Sequence, residues 1–360
     1  YNATLASGLI RTSSFYEVSS GREQKREFLF IEVPVGQGTY NWVDYNNNGI
    51  KELNEFEIAQ FPDQRKYLRV FTPSNEFINT QGAAVSEVFY INPAAILKGN
   101  SIFSKVISTF SNNLFFLVNK KTTGPKIVSS FNPLVSPSAD SLLVTLVKSF
   151  KNTFYFNRTN PIYGAELTYS KNENKTFLSS GFDVSNLTER GARVRWRFIP
   201  STEFSLSAVK GINKFNSDFF VTRSFNVNQN EFSPVFDIQL DDRFNLILSY
   251  KRKQKTNSQQ FGGEELKAQS FGLESKYNFI GKGLISGGVN LINNNYIGQT
   301  NTPVSYQLLD GLQAGTNYTW NVSVQRNLNE NLQISLSYDG RKSEATKAIN
   351  TGSLTARALF

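Results

Sequence analysis

"YTWNVSVQRNLNENLQISLSYD", residues 318–339, decides the fold. Tyr318, Trp320, Val322 and Val324 alternate with Thr319, Asn321, Ser323 and Gln325. After the tight connection NLNEN (327–331), Leu332, Ile334, Leu336 and Tyr338 alternate with Gln333, Ser335, Ser337 and Asp339. Successive side chains of a strand point to opposite faces, so each segment carries one apolar and one polar face.

Outward from this stretch the pattern repeats. Ala192, Val194, Trp196 and Phe198 alternate with Arg193, Arg195 and Arg197. Phe244, Leu246, Leu248 and Tyr250 face away from Asn245, Ser249 and Lys251, and Phe271, Leu273, Tyr277 and Phe279 face away from Glu274, Lys276 and Asn278. In a soluble sandwich such apolar faces meet a second sheet. In an outer-membrane barrel they meet lipid, and the polar faces line the lumen. Length favours the barrel: many segments run to about ten residues, the span of a tilted membrane strand, where soluble strands average about five or six. Aromatic residues sit at segment ends, as interfacial girdles require. Tight connections such as FIGKG (279–283) alternate with long polar ones such as KRKQKTNSQQFGGEE (251–265), the usual asymmetry of such barrels. The chain ends SLTARALF on Phe360, with Leu354, Ala356 and Ala358 on one face, the form of a terminal strand read by outer-membrane assembly machinery. The sequence therefore predicts an all-β, antiparallel transmembrane β-barrel over residues 104–360. The expected count is about fourteen strands, within a range of roughly 12–16, and includes Ser108–Lys120, Leu143–Asn157 and a stretch around Val304–Leu309.

Composition is consistent with this. Of 360 residues, 31 are Phe and 15 Tyr, and no apolar run approaches the length of a membrane helix. Cys and His are absent, which excludes disulfides, thiol catalysis, Ser–His–Asp and HExxH chemistry within the chain. The net charge of +9 is spread out and predicts no nucleic-acid partner. Starting at Tyr1 without any Met, the chain is expected to be the C-terminal part of a longer protein.

Residues 1–98 have a different texture and predict a small, mostly-β module. Ser14–Ser19 and Glu27–Val33 are expected to form a hairpin turning near Gly21. KYLRVFTP and SEVFYINP read as two short strands, each stopped by Pro, and LNEFEIAQF as two turns of helix. Within this module, DYNNNGIKELNE (44–55) matches the pattern of a calcium loop, D-x-[DN]-x-[DN]-G-x5-E. Asp44, Asn46 and Asn48 would supply side-chain oxygens, Ile50 its carbonyl, Glu52 a contact through water, and Glu55 both carboxylate oxygens. Gly49 permits the sharp turn. Two features depart from a helix–loop–helix hand: a strand precedes the loop, and Lys51 takes a usually apolar position. The expected ion is a structural Ca2+ that sets the angle between Tyr40–Val43 and Leu53–Ala59. The alternative is an Asn-Gly turn with Glu55 solvated.

VGQGTYNWVDYNNNGIKELNEFEIAQFPDQRKYLRVFTPSNEF (35–77), with the run from Leu308 to Phe360, resembles the C-terminal part of large outer-membrane proteins of Bacteroidota. The resemblance implies location and fold and says little about activity. That phylum couples such barrels to surface lipoproteins, to type IX secretion and to envelope assembly.

Other stretches read as structural. Gln37 in GQG (36–38) lies in a turn. Arg193, Arg195 and Arg197 form a ladder toward carboxylates such as Glu166 or Asp183, or else a stripe favouring anions. KRKQK (251–255) reads as a basic loop, solvated or near acidic head groups. Asp241–Asp242 reads as a turn. The expectation is a non-enzymatic outer-membrane barrel, a scaffold subunit in a surface or envelope-assembly complex. Its expected partners are outer-membrane lipid or lipopolysaccharide and other outer-membrane proteins or surface lipoproteins. The alternative is a porin-like or plugged transport channel. An integral outer-membrane hydrolase is disfavoured by the missing His.

Overall fold

The structure is a computed structural model and describes residues 1–99, 101–123, 132, 143–178, 181–329, 331–344 and 346–358, without the side chains of 23–27, 73–76 and 178. The described residues are overwhelmingly strand. In chain order the strands are β1 (Asn2–Leu5), β2 (Ile10–Glu32), β3 (Tyr40–Trp42), β4 (Phe56–Ile58), β5 (Tyr67–Ile91), β6 (Phe110–Thr123), β7 (Leu143–Phe156), β8 (Tyr163–Leu178), β9 (Gly181–Ile199), β10 (Thr202–Ser217), β11 (Phe225–Gln239), β12 (Phe244–Asn257), β13 (Glu265–Phe279), β14 (Gly283–Ile297), β15 (Gly315–Asn327), β16 (Leu332–Ser343) and β17 (Ile349–Ala358). Among the described residues two short α-helices interrupt them, α1 (Ile102–Ile107) and α2 (Pro303–Leu308). All 17 strands belong to one sheet in which β5 to β17 each pair with the next, and β17 neighbours β2. Of these, β6 to β17, 12 strands among the described residues, fall within 104–360, the lower end of the expected range; the long β2 and β5 come from residues 1–98.

Contacts divide the chain into two units. One holds residues 1–29, 70–194 and 209–229, and the other 30–69, 195–208 and 230–360. Strands from both expected parts, β2 and β5 before residue 98 and β6 to β17 after residue 104, have neighbours in the same sheet. In the first unit Val118, Leu143 and Leu146 are buried, with Val85, Phe116 and Phe182 packed against them.

Several local expectations are corrected. The hairpin at Gly21 is one continuous strand of 23 residues, since nothing forces Gly21 out of extended backbone. KYLRVFTP and SEVFYINP are parts of one 25-residue strand, β5, that runs through Pro73 and ends before Pro93. LNEFEIAQF makes a single 3-10 turn at Leu53–Glu55 followed by β4. Aromatic packing outweighs helical spacing here: Phe56 stacks on Phe30 at 4.0 Å and meets Tyr67 edge-on at 5.1 Å. The stretch around Val304–Leu309 is helix α2, started by Thr302, whose hydroxyl accepts from the Ser305 N–H at 3.0 Å. KRKQK is not a loop, because β12 continues to Asn257. Asp241 does close a turn, accepting from the N–H groups of Arg243 and Phe244 at 2.8 and 2.7 Å. Phe360 lies outside the described residues.

The register of the second unit lines up the alternation seen in the sequence. Phe271, Leu291 and Tyr318 share one rung; Leu273, Val289, Trp320 and Gly340 the next; then Ser275, Gly287, Val322 and Tyr338; then Tyr277, Ile285, Val324, Leu336 and Leu354; then Phe279, Gly283, Arg326, Ile334 and Ala356. Many of these side chains are exposed and the rest partly so: Phe271 is 56% accessible, Val289 53% and Leu354 70%, while Trp320 and Val324 are intermediate. The opposite face of the same strands is polar. Glu274, Gly288, Asn321, Asp339 and Thr351 form one of its rungs, and Lys276, Ser286, Ser323, Ser337 and Ser353 the next.

Candidate functional site: two segments docked on the polar face

Within the second unit, residues 33–66 and 299–314 pack on one another and on the polar face of β12 to β16. The first segment is anchored by aromatic packing. Tyr40 of β3 meets Phe30 edge-on at 5.0 Å, and β3 pairs with β4 from Tyr40–Ile58 to Trp42–Phe56. The second segment is the connection between β14 and β15, folded into α2.

Side chains separated by hundreds of residues join the two segments. The Tyr306 hydroxyl donates to Gln64 Oε1 at 3.0 Å and to the Ile58 carbonyl at 3.2 Å. Burial pushes the Tyr306 phenol up to about 12. Gln307 Nε2 donates to Glu57 at 3.2 Å, and Asn301 Nδ2 to the Tyr45 carbonyl at 3.2 Å. Arg341 of β16 donates through Nη2 to Asp63 at 2.7 Å and through Nη1 to the Gly311 carbonyl at 3.3 Å, with its guanidinium 4.5 Å from the Phe61 ring centre. Gly311 has φ +73, and a Cβ there would press on Gln60 at 3.0 Å, so the close approach requires glycine.

The lysines of KRKQK complete the attachment. Lys251, Lys253 and Lys255 project from one face of β12. Lys251 lies 3.5 Å from Glu231. Lys253 and Lys255 bind the two oxygens of Asp310 at 3.0 and 2.6 Å, and Lys255 also donates to the Leu308 carbonyl at 2.9 Å. Burial opposes ionisation of Asp310, but Lys255 and Lys253 outweigh it and hold the carboxyl below its ordinary value. On β9, Arg197 pairs with Glu203 at 3.0 Å, a partner other than the expected Glu166 or Asp183.

The loop 44–55 belongs to the first segment. The two carboxylate oxygens of Asp44 accept from the N–H groups of Asn48 and Gly49 at 3.2 and 2.9 Å. Asn46 Oδ1 accepts from the Asn48 N–H at 3.0 Å, and Asn48 Oδ1 from the Ile50 N–H at 2.7 Å. Gly49, at φ +73, takes the sharp turn. Asn46 donates to Glu52 at 3.0 Å, and Ile50 is exposed. Glu55 is 1% accessible and turns toward β3, accepting from the Trp42 indole N–H at 2.8 Å and from the Tyr45 N–H at 3.2 Å. Among the described residues no three acidic side chains are gathered at metal-ligating distance. Lys51 folds back onto Glu32 at 2.8 Å, 5.0 Å from the Tyr67 ring centre, and this pairing raises its pKa.

No protein-family profile matches the chain, and no curated protein matches it. Among solved structures, the outer membrane channel DcaP of Acinetobacter baumannii is similar over 98% of this chain and 99% of its own, at 7% identity and a TM-score of 0.41.

The sequence pointed to the loop and missed the docking. Arg341–Asp63 and Lys255–Asp310 are long-range ion pairs, and nothing in their local sequence marks them. The nearest signal was Gly311 after Asp310, a break in the otherwise apolar LLDGL.

Proposed function

We propose that this chain is an integral β-barrel of the outer membrane of a Gram-negative bacterium. One observation carries the reading: the exposed apolar rungs of β13 to β17. From Phe271 to Phe279 they extend roughly 26 Å along the strand, or about 20 Å in height at a tilt of about 40°. That approaches the roughly 25 Å lipid-facing band of such barrels. A soluble chain rarely exposes a contiguous apolar patch beyond a few hundred Å2.

Within that barrel, residues 33–66 and 299–314 would occupy the lumen beside β12 to β16. A filled lumen favours a non-enzymatic scaffold subunit of a surface or envelope-assembly complex over an open porin. The Asx turns of Asp44, Asn46 and Asn48 support a structural Ca2+ site formed by these residues with Ile50, Glu52 and Glu55. Ion binding would require Glu55 to exchange its bonds to Trp42 and Tyr45 for the metal. The partners would be outer-membrane lipid or lipopolysaccharide and neighbouring outer-membrane proteins or surface lipoproteins.

The deciding experiment pairs conductance in planar bilayers with a pull-down from detergent-solubilised outer membranes, with calcium present or chelated. A non-conducting protein that retains stoichiometric partners, and loses them on chelation, is the expected result. Steady single-channel conductance without partners would replace the scaffold with a porin-like channel.

A further inference from the structure

Residues 33–66, the connection 299–314 and the end of β16 enclose a cavity of about 580 Å3, within the roughly 300–1,000 Å3 range of small-molecule sites. Among the described residues its wall contains no carboxylate. The one cation among the described lining residues, Arg341, already has its charge matched by Asp63. The cavity therefore does not select for a charged ligand.

One donor on this wall is fixed in direction and lacks an acceptor among the described residues. Gln64 is 7% accessible, and its Oε1 takes three bonds, from the N–H groups of Gln60 and Phe61 at 3.0 and 3.3 Å and from the Tyr306 hydroxyl at 3.0 Å. Two backbone donors fix which way this amide points, so its Nε2 is the end left without an acceptor among the described residues. An oxygen of a ligand in the cavity would give this amide an acceptor. Asn41 and Gln313 add two amide side chains that form no hydrogen bond within the described residues. Each amide offers both a donor and an acceptor, which suits a hydroxyl that donates and accepts. Tyr45 and Tyr306, with Leu309 and Leu312, supply apolar surface for a ligand's C–H face.

We propose that this cavity binds an uncharged, hydroxyl-rich ligand, a mono- or disaccharide. Gln64 would donate to its oxygens, and Asn41 and Gln313 would bracket its hydroxyls. The proposal is independent of the membrane reading, since a chain with either fate can hold a sugar here.

The test is calorimetric titration of the purified, detergent-solubilised chain with maltose, cellobiose and N,N′-diacetylchitobiose. Digalacturonic acid and an uncharged tripeptide serve as comparisons. At least one neutral disaccharide should bind. Asn41→Leu and Gln313→Leu should each weaken it about tenfold, near 1.4 kcal/mol. Neither side chain forms a hydrogen bond among the described residues, and the backbone bonds of both positions survive the substitution, so the strand signal in circular dichroism should stay unchanged. The proposal is overturned if no neutral disaccharide binds, if the acid or the tripeptide binds more tightly, or if both leucine variants bind as the parent does.

Discussion

At the scale of single residues, the docking of residues 33–66 and 299–314 rests on a few charges. Arg341 and Asp63 are each about four-fifths covered and bonded at 2.7 Å, with side-chain accessibilities of 16% and 20%. Removing one partner leaves the other charge largely desolvated. Full burial would cost about 3–5 kcal/mol and partial exposure reduces it, so Asp63→Asn should cost roughly 2 kcal/mol. Hydrogen exchange should report this as faster opening of 60–64 and 299–314, with the amides of β13 and β14 unaffected; uniform loosening of both regions would refute the local reading. Asp310 adds a pH dependence. Its folded pKa is depressed, so its stabilising contribution is present above the unfolded value of about 3.9 and is lost as pH falls through the folded value. Exchange in 299–314 should therefore quicken below about pH 4, and Asp310→Asn should remove that dependence. None of these partners was legible in the sequence. An ion pair spanning 278 residues has no local signature. The three lysines read as loop because charge usually marks solvent, whereas here charge marks the polar face of a long strand.

At the scale of elements, alternation was a dependable guide where one face was uniformly apolar. β12, β13, β15 and β16 fell where the pattern put them. It failed where another force set the conformation. β4 is a strand because Phe56 has Phe30 and Tyr67 to pack against. α2 is a helix because Thr302 and Pro303 start one, so the apolar run Val304–Leu309 buries helical rather than alternating positions. The loop 44–55 was legible as a pattern of oxygens, and its turn bonds follow that spacing. The orientation of Glu55 was not legible, since it depends on the Trp42 indole reached through the pairing of β3 with β4. This sets up a direct test of calcium. Terbium in place of calcium should show emission sensitised by Trp42, displaced by added calcium. Glu55→Gln should weaken that emission by about tenfold or more, given the bidentate role assigned to the twelfth position. Unsensitised terbium, or emission unchanged in Glu55→Gln, would leave the loop as a turn held by its own backbone bonds.

At the scale of the whole molecule, the two faces of β16 offer the sharpest contrast, because neighbours in sequence should behave oppositely. Leu336 lies in an apolar rung with Ile285, Val324, Tyr277 and Leu354, while Ser337 lies in a polar rung with Ser323, Ser286 and Ser353. If the apolar face meets lipid, Leu336→Arg places a cation near mid-bilayer and should cost about 2–4 kcal/mol. Ser337→Arg enters a polar, hydrated face and should cost under about 1 kcal/mol. A soluble sheet whose apolar rungs are merely exposed predicts the reverse for Leu336: a charge on a solvated face costs nothing and improves solubility. Folding into lipid vesicles, followed by the heat-modifiable shift on gels and by urea titration, measures both variants in one assay. A large loss for Leu336→Arg beside a near-neutral Ser337→Arg supports the membrane reading. Equal, small effects would remove its physical basis, because the exposed rungs would then carry no penalty for charge.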